Sequence, residues 1–165
     1  FGLTVFVDLV VAVNIGVILA TLHFLRRMAS SVEVQPVAAQ ELHEELAARG
    51  ARPLPPDVLV YKVEGPFFFG AVETFERALA ATHTDPRVVI IRLRWVPFMD
   101  ITGVQALEES IRDLQRRGVR VMITGANPRV AAKLERAGVI ALIGRENFFD
   151  SIVEALAACP VTSSA

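Results

Sequence analysis

The stretch RVVIIRLRWVPFMDITGVQALEESIRDLQRRGVRVMIT, residues 87–124, decides the fold. It opens on RVVIIRL (87–93), a run of β-branched and aliphatic residues with almost no polar interruption. A strand of this kind is buried on both faces, as in a parallel sheet covered by helices. After PFMDITG (97–103) the period changes. Val104, Leu107, Ile111 and Leu114 recur at three- and four-residue spacing, which predicts an amphipathic helix over about 102–117. Gly118 stands where a helix needs a left-handed residue to stop. VRVMIT (119–124) is then a second apolar strand. Strand, helix and strand in this order make one parallel crossover unit.

The same alternation extends outward. VLVYKV (58–63) reads as a strand before it, followed by a helical stripe of Val72, Phe75 and Leu79 across 70–82. After it, NPRVAAKLERAG (127–138) reads as a short helix. Asn127 can cap it, Pro128 suits its first turn, and Gly138 ends it. VIALI (139–143) is expected as a short strand. Phe148, Ile152 and Leu156 predict a last helix across 147–158. The fold class is α/β, with a mostly parallel sheet flanked by helices over residues 58–160, and 161–165 as a tail. Residues 28–57 read as a connector. It holds an Ala/Glu/Leu-rich segment from Ala38 to Arg49 that can form a helix, and GARPLPPD (50–57), whose prolines break it.

The chain has 165 residues, 53% of them hydrophobic, a net charge of -1 and a mean hydropathy of +0.45. The apolar excess is concentrated in FGLTVFVDLVVAVNIGVILATLHFL (1–25), which contains one formal charge, Asp8. From Leu9 to Leu25 no residue is charged when His23 is neutral. At about 1.5 Å per residue this run nearly spans a hydrocarbon core of about 30 Å. Residues 1–27 therefore read as a transmembrane helix. Asp8 can begin it as N-cap, with residues 1–7 ending a preceding span; a single helix from residue 3 onward is the alternative. Arg26 and Arg27 follow the run directly and mark its cytoplasmic boundary. A signal peptide would carry its basic flank before the apolar run, not after it. Because the chain starts with Phe1 inside an apolar run, it reads as the C-terminal fragment of a longer protein. Ala12, Gly16 and Ala20 form a small-residue stripe that lets another helix approach closely, in the same chain or in a second copy. Asn14 points roughly opposite.

Catalytic and metal-binding patterns are missing. His23, His43 and His83 lack ligand spacing, and no nucleophile–base pair is visible. Neither the P-loop nor the G-x-G-x-x-G pattern occurs. The single cysteine, Cys159, cannot form an internal disulfide and lies near the tail. A near-zero net charge gives no general attraction to nucleic acid. Neither a cofactor nor an enzymatic activity is expected. What remains is DITG. Thr102 with Gln105 fits a capping box, and Asp100 can cap the same helix. A hydroxyl there is also placed to carry a phosphate, since helix N-terminal amides favour anions.

GPFFFG, RVVIIRL, DITG and VRVMITG in this order resemble a STAS domain, the fold of bacterial anti-sigma-factor antagonists and of the C-terminal domain of SulP anion transporters. The SulP version is the nearer likeness. EGPFFFGAVETF (64–75) resembles its first strand–loop–helix, and TVFVDLVVAVNIGVILA followed by FLRRM resembles its last membrane helix. The resemblance implies a cytoplasmic domain at the inner membrane, serving regulation, assembly and protein interaction in a transporter of sulfate, bicarbonate or dicarboxylates. Its implied partners are membrane lipid, the rest of the membrane domain, a second copy in a homodimer, and a cytoplasmic regulatory protein. In the antagonists a hydroxyl in this motif accepts the phosphate. By resemblance Asp100, Thr102 and Gly103 are the phosphoacceptor-like residues, with Ile101 where the first hydroxyl usually stands.

Overall fold

The structure is a computed structural model that describes residues 2–29, 33–36, 39–48, 50–51, 53–67 and 86–159. The expected helix across 70–82, Phe68, Phe69 and the 161–165 tail lie outside the described residues. The chain divides into two units, Phe1–Ser31 and Val32–Ala165.

The first unit is one helix, α1 (Gly2–Ala29). It runs through Asp8 without a break, so Asp8 is not an N-cap and no preceding span ends there. The residues around Asp8 include no proline or glycine to stop the i to i−4 ladder. Side chains are described from Leu9 to Phe24, and all are exposed. Ten large apolar residues among them are each at least half exposed. Asn14 Nδ2 donates to the Val10 carbonyl at 2.9 Å, and Thr21 Oγ1 donates to the Val17 carbonyl at 2.8 Å. These polar groups are thus satisfied within the helix itself. Among the described residues no helix is long and apolar enough to cross a membrane.

The second unit is built on a five-stranded sheet of order β1-β2-β3-β4-β5: β1 (Glu33–Pro36), β2 (Val58–Glu64), β3 (Val88–Trp95), β4 (Arg120–Thr124) and β5 (Phe148–Phe149). Strands β2 to β5 are parallel, and β1 pairs antiparallel with β2. The helices are α2 (Ala39–Ala48), α3 (Ile101–Arg116), α4 (Pro128–Arg136), α5 (Val139–Ile143) and α6 (Ile152–Ala157). Residues 28–57, read as a connector, thus supply an edge strand that was not expected and the helix that Ala38 to Arg49 allowed, with Leu42 and Leu46 of α2 fully buried.

Alternation along each strand builds two cores. Tyr61, Val63, Val89, Ile91, Leu93, Val121 and Ile123 face α3, α4 and α5. Val58, Val60, Val88, Ile90 and Met122 face α2 and α6. Burial on both faces is why the strands read as continuous apolar runs. α3 ends as Gly118 predicted, in a Schellman motif. Gly118, at φ 78°, donates to the Gln115 carbonyl at 2.9 Å, and Val119 donates to Leu114 at 3.0 Å.

Three further expectations are corrected. VIALI is the helix α5, not a strand. Its buried residues, Val139, Ile140 and Ile143, follow i, i+1, i+4, the spacing of a helix face rather than of a strand. The Leu142 amide closes a helical turn on the Gly138 carbonyl at 2.9 Å. The fifth place in the sheet goes to Phe148–Phe149, which pair with Ile123 and Thr124. The last helix therefore begins later than expected, at Ile152, with Ser151 Oγ accepting from the Glu154 amide at 3.3 Å. Cys159, expected beside a loose tail, is instead buried at 3% exposure, with Sγ 4.0 Å from the Met122 sulfur.

Candidate functional site

The loop from Val96 to Asp100 joins β3 to α3 at the carboxyl ends of the parallel strands. Its backbone is pinned by three residues, Phe67, Asn127 and Lys133. Phe67, just past β2, forms a bridge with Met99: its amide donates to the Phe98 carbonyl at 3.0 Å, and its carbonyl accepts from the Asp100 amide at 3.1 Å. From α4, Asn127 Nδ2 donates to the carbonyls of Val96 at 2.8 Å and Pro97 at 3.3 Å. Lys133 Nζ donates to the Met99 carbonyl at 2.6 Å. Asn127 does double duty, since its Oδ1 also accepts from the Arg129 and Val130 amides at 3.0 Å as the cap of α4. The loop is therefore a fixed platform rather than a slack connection.

Asp100, not Thr102, caps α3. Its Oδ1 accepts from the Gly103 amide at 2.7 Å, and its own backbone is extended. The Thr102–Gln105 capping box does not form, because Asp100 sets the start of the helix two residues earlier. Ile101 and Thr102 are the first two residues of α3, and both side chains are exposed. Gly103 is buried, and its place admits no side chain. A Cβ there would lie 2.5 Å from the Phe67 carbonyl oxygen and 2.8 Å from Phe67 Cδ1.

The three residues of the expected motif thus separate into a cap, an exposed hydroxyl and a close-packed glycine. The Asp100 carboxylate already complements the helix N-terminus, so a phosphate on Thr102 would meet a negative charge beside the amides it needs. Phe98 at 49% and Ile101 at 64% exposure flank this turn, an apolar pair that the sequence did not single out. Among the described residues no group of three or more His, Cys, Asp or Glu could hold a metal ion.

On the other side of the sheet lies an arrangement that the sequence does not announce. Arg92 of β3 is 4% exposed. Its two terminal nitrogens donate to the two carboxylate oxygens of Glu45 in α2, each at 2.9 Å. Its guanidinium carbon also lies 4.9 Å from the centre of the Trp95 ring, and Lys62 Nζ lies 4.7 Å from the same ring.

The sequence matches the STAS domain family over residues 52–155. The chain belongs to the STAS family. It is 49% identical to the STAS domain of a SulP transporter from Vibrio cholerae, covering 72% of this chain and 93% of that one, with a TM-score of 0.61. It is 32% identical over 151 residues to the putative sulfate transporter YvdB of Bacillus subtilis, covering 91% of this chain and 27% of the relative. It is 31% identical over 159 residues to the bicarbonate transporter BicA of Synechocystis, covering 93% and 28%. The chain therefore spans about a quarter of the length of these two transporters. Within the STAS family it groups with the SulP domains, as EGPFFFGAVETF had implied.

The small-residue stripe of Ala12, Gly16 and Ala20 lies on α1, exposed. Arg26 and Arg27 lie in its last turns, and their side chains are outside the described residues.

Proposed function

We propose that this chain is the regulatory and assembly part of a secondary anion transporter of the sulfate, bicarbonate or dicarboxylate type. In this reading α1 is the last membrane helix and the STAS domain lies on the cytoplasmic side of the inner membrane. The observation that carries the proposal is the helix itself. Leu9 to Phe24 present apolar side chains all round, which a helix does only when lipid or protein covers it. The described side chains account for about 24 Å at 1.5 Å per residue. With Leu25 the uncharged run reaches about 26 Å, close to a hydrocarbon core of about 30 Å, and Asp8 stands at its outer end. Ala12, Gly16 and Ala20 give this helix a face for close packing, against its own chain or in a homodimer. Arg26 and Arg27 hold the cytoplasmic end.

The domain acts here as a binding and assembly module rather than as an enzyme. The relatives named as transporters support that reading. Deleting residues 58–160 from the full-length protein is expected to impair anion uptake, membrane yield or oligomeric state. Retention of all three, measured by tracer flux and by native gel of the solubilised protein, overturns the proposal.

The exposure of Thr102 favours a second reading, in which the DITG turn is a phosphorylation switch for a cytoplasmic protein partner that covers Phe98 and Ile101. Mass spectrometry of the native protein then finds phosphate on Thr102, and Thr102→Glu alters partner binding. An unmodified Thr102 under all growth conditions refutes this second reading and leaves the assembly role intact.

A further inference from the structure

β4 and β5 are neighbours in the sheet, yet the chain leaves them in opposite directions. After β4 it passes through Gly125 and Asn127 into α4, on the first core. After β5 it passes through Asp150 and Ser151 into α6, on the second. In an open α/β sheet such a divergence opens a crevice at the carboxyl ends of the strands, and ligands bind there. In this chain the crevice is a cavity of about 40 Å³, whose lining combines the polar Arg92, Arg94, Thr124, Asp150 and Ser151 with Gly125 and the apolar Ile152.

The lining contains an unmet need. Thr124 is 2% exposed, and its hydroxyl has no hydrogen-bond partner among the described residues. Buried polar groups of this kind are normally paired, and this one lines a space that can hold a small ligand. Two further donors converge on it. Ser151 Oγ accepts from the Glu154 amide, which leaves its own hydrogen to donate. Arg94 is exposed and pairs with no carboxylate among the described residues; its recorded contact is the Trp95 ring at 6.0 Å. Arg92 is held by Glu45 through one hydrogen on each terminal nitrogen, so in the wall it supplies positive charge rather than a free fork. Gly125, at φ 71°, packs closely on Arg94, where a Cβ would lie 3.2 Å from Arg94 Cβ. Asp150 is the one charged acceptor in the lining.

The geometry points to a binding site for a small oxyanion that carries its own proton, hydrogencarbonate or hydrogenphosphate. Its oxygens accept from Arg94, Thr124 and Ser151, and its hydroxyl donates to Asp150. A fully deprotonated oxyanion such as sulfate offers Asp150 only lone pairs, so the carboxylate repels it. The site rests on residues 92–152 alone and is independent of the membrane reading.

The test uses the whole 165-residue chain in detergent micelles. Its amide resonances are followed while sodium bicarbonate, phosphate, sulfate or chloride is added at matched ionic strength and mildly alkaline pH. Bicarbonate or phosphate is expected to shift the Gly125 and Ser151 amides saturably in the millimolar range, and sulfate and chloride are not. The anion that saturates first identifies the ligand. Arg94→Ala, at an exposed position, is expected to weaken binding about tenfold or more. Thr124→Val, which keeps the shape and removes the hydroxyl, weakens it severalfold. Asp150→Asn lets sulfate bind as well as bicarbonate does. An equal response to sulfate and chloride means an adventitious ion only and overturns the assignment. So does the absence of any saturable shift, or an Arg94→Ala protein that binds unchanged with the same melting temperature.

Discussion

Glu45→Ala is expected to destabilise the STAS domain by about 3–5 kcal/mol, lowering its melting temperature by roughly 10–20 °C. The cause is the charge left behind. Arg92 lies in the sheet at 4% exposure, and arginine carries its charge into whatever site it occupies. Without Glu45 its guanidinium stays buried with no counter-charge, and only the Trp95 ring faces it at 4.9 Å. The loss is large because desolvating a charge costs far more than a surface pair returns. Glu45→Gln keeps one acceptor oxygen and is expected to lose less. The double variant Glu45→Leu with Arg92→Met removes both charges and is expected to recover most of the stability. Urea unfolding of the four proteins separates the cases. If Glu45→Ala unfolds within about 0.5 kcal/mol of the parent, as an exposed pair would, the bridge does not hold α2 to the sheet.

This pair marks where reading the sequence stops. Glu45 and Arg92 are 47 residues apart, and α2 lies in what composition alone presents as a connector. Nothing local tells Glu45 from its neighbour Glu44, which is exposed. β1 is equally silent. Its residues, EVQP, carry no apolar run, and an edge strand needs none, because it pairs along one side only. By contrast β2, β3 and β4 were legible, because two covered faces demand unbroken apolar runs. The end of α3 was legible too, because only glycine sits easily at φ 78° in a Schellman turn. VIALI was ambiguous in principle. Five apolar residues suit a strand or a turn of helix, and only the packing of Val139, Ile140 and Ile143 against α3 and α4 decides.

The DITG turn joins β3 to α3, as the change of period after RVVIIRL implied, and Gly103 carries its sharpest consequence. Gly103→Ala is expected to destabilise the domain by about 2–4 kcal/mol, through overpacking and a broken backbone hydrogen bond. General helix propensity predicts the opposite sign, since alanine improves on glycine inside a helix by about 1 kcal/mol. The difference lies in what the new methyl meets. The Phe67 carbonyl oxygen would be 2.5 Å away and Phe67 Cδ1 2.8 Å away, and neither can yield freely. That carbonyl accepts from the Asp100 amide at 3.1 Å, and the Phe67 ring is 1% exposed within the first core. Moving α3 outward breaks the Phe67–Asp100 bond and loosens the bridge to Met99, and with them the platform that presents Phe98 and Ile101. Phe67→Ala in the same chain tests this route. It makes room for the ring contact but not for the carbonyl contact, so Gly103→Ala should still destabilise that background, by a smaller amount. A Gly103→Ala protein as stable as its parent in urea, or more stable, would show that the motif's glycine is not required for close approach.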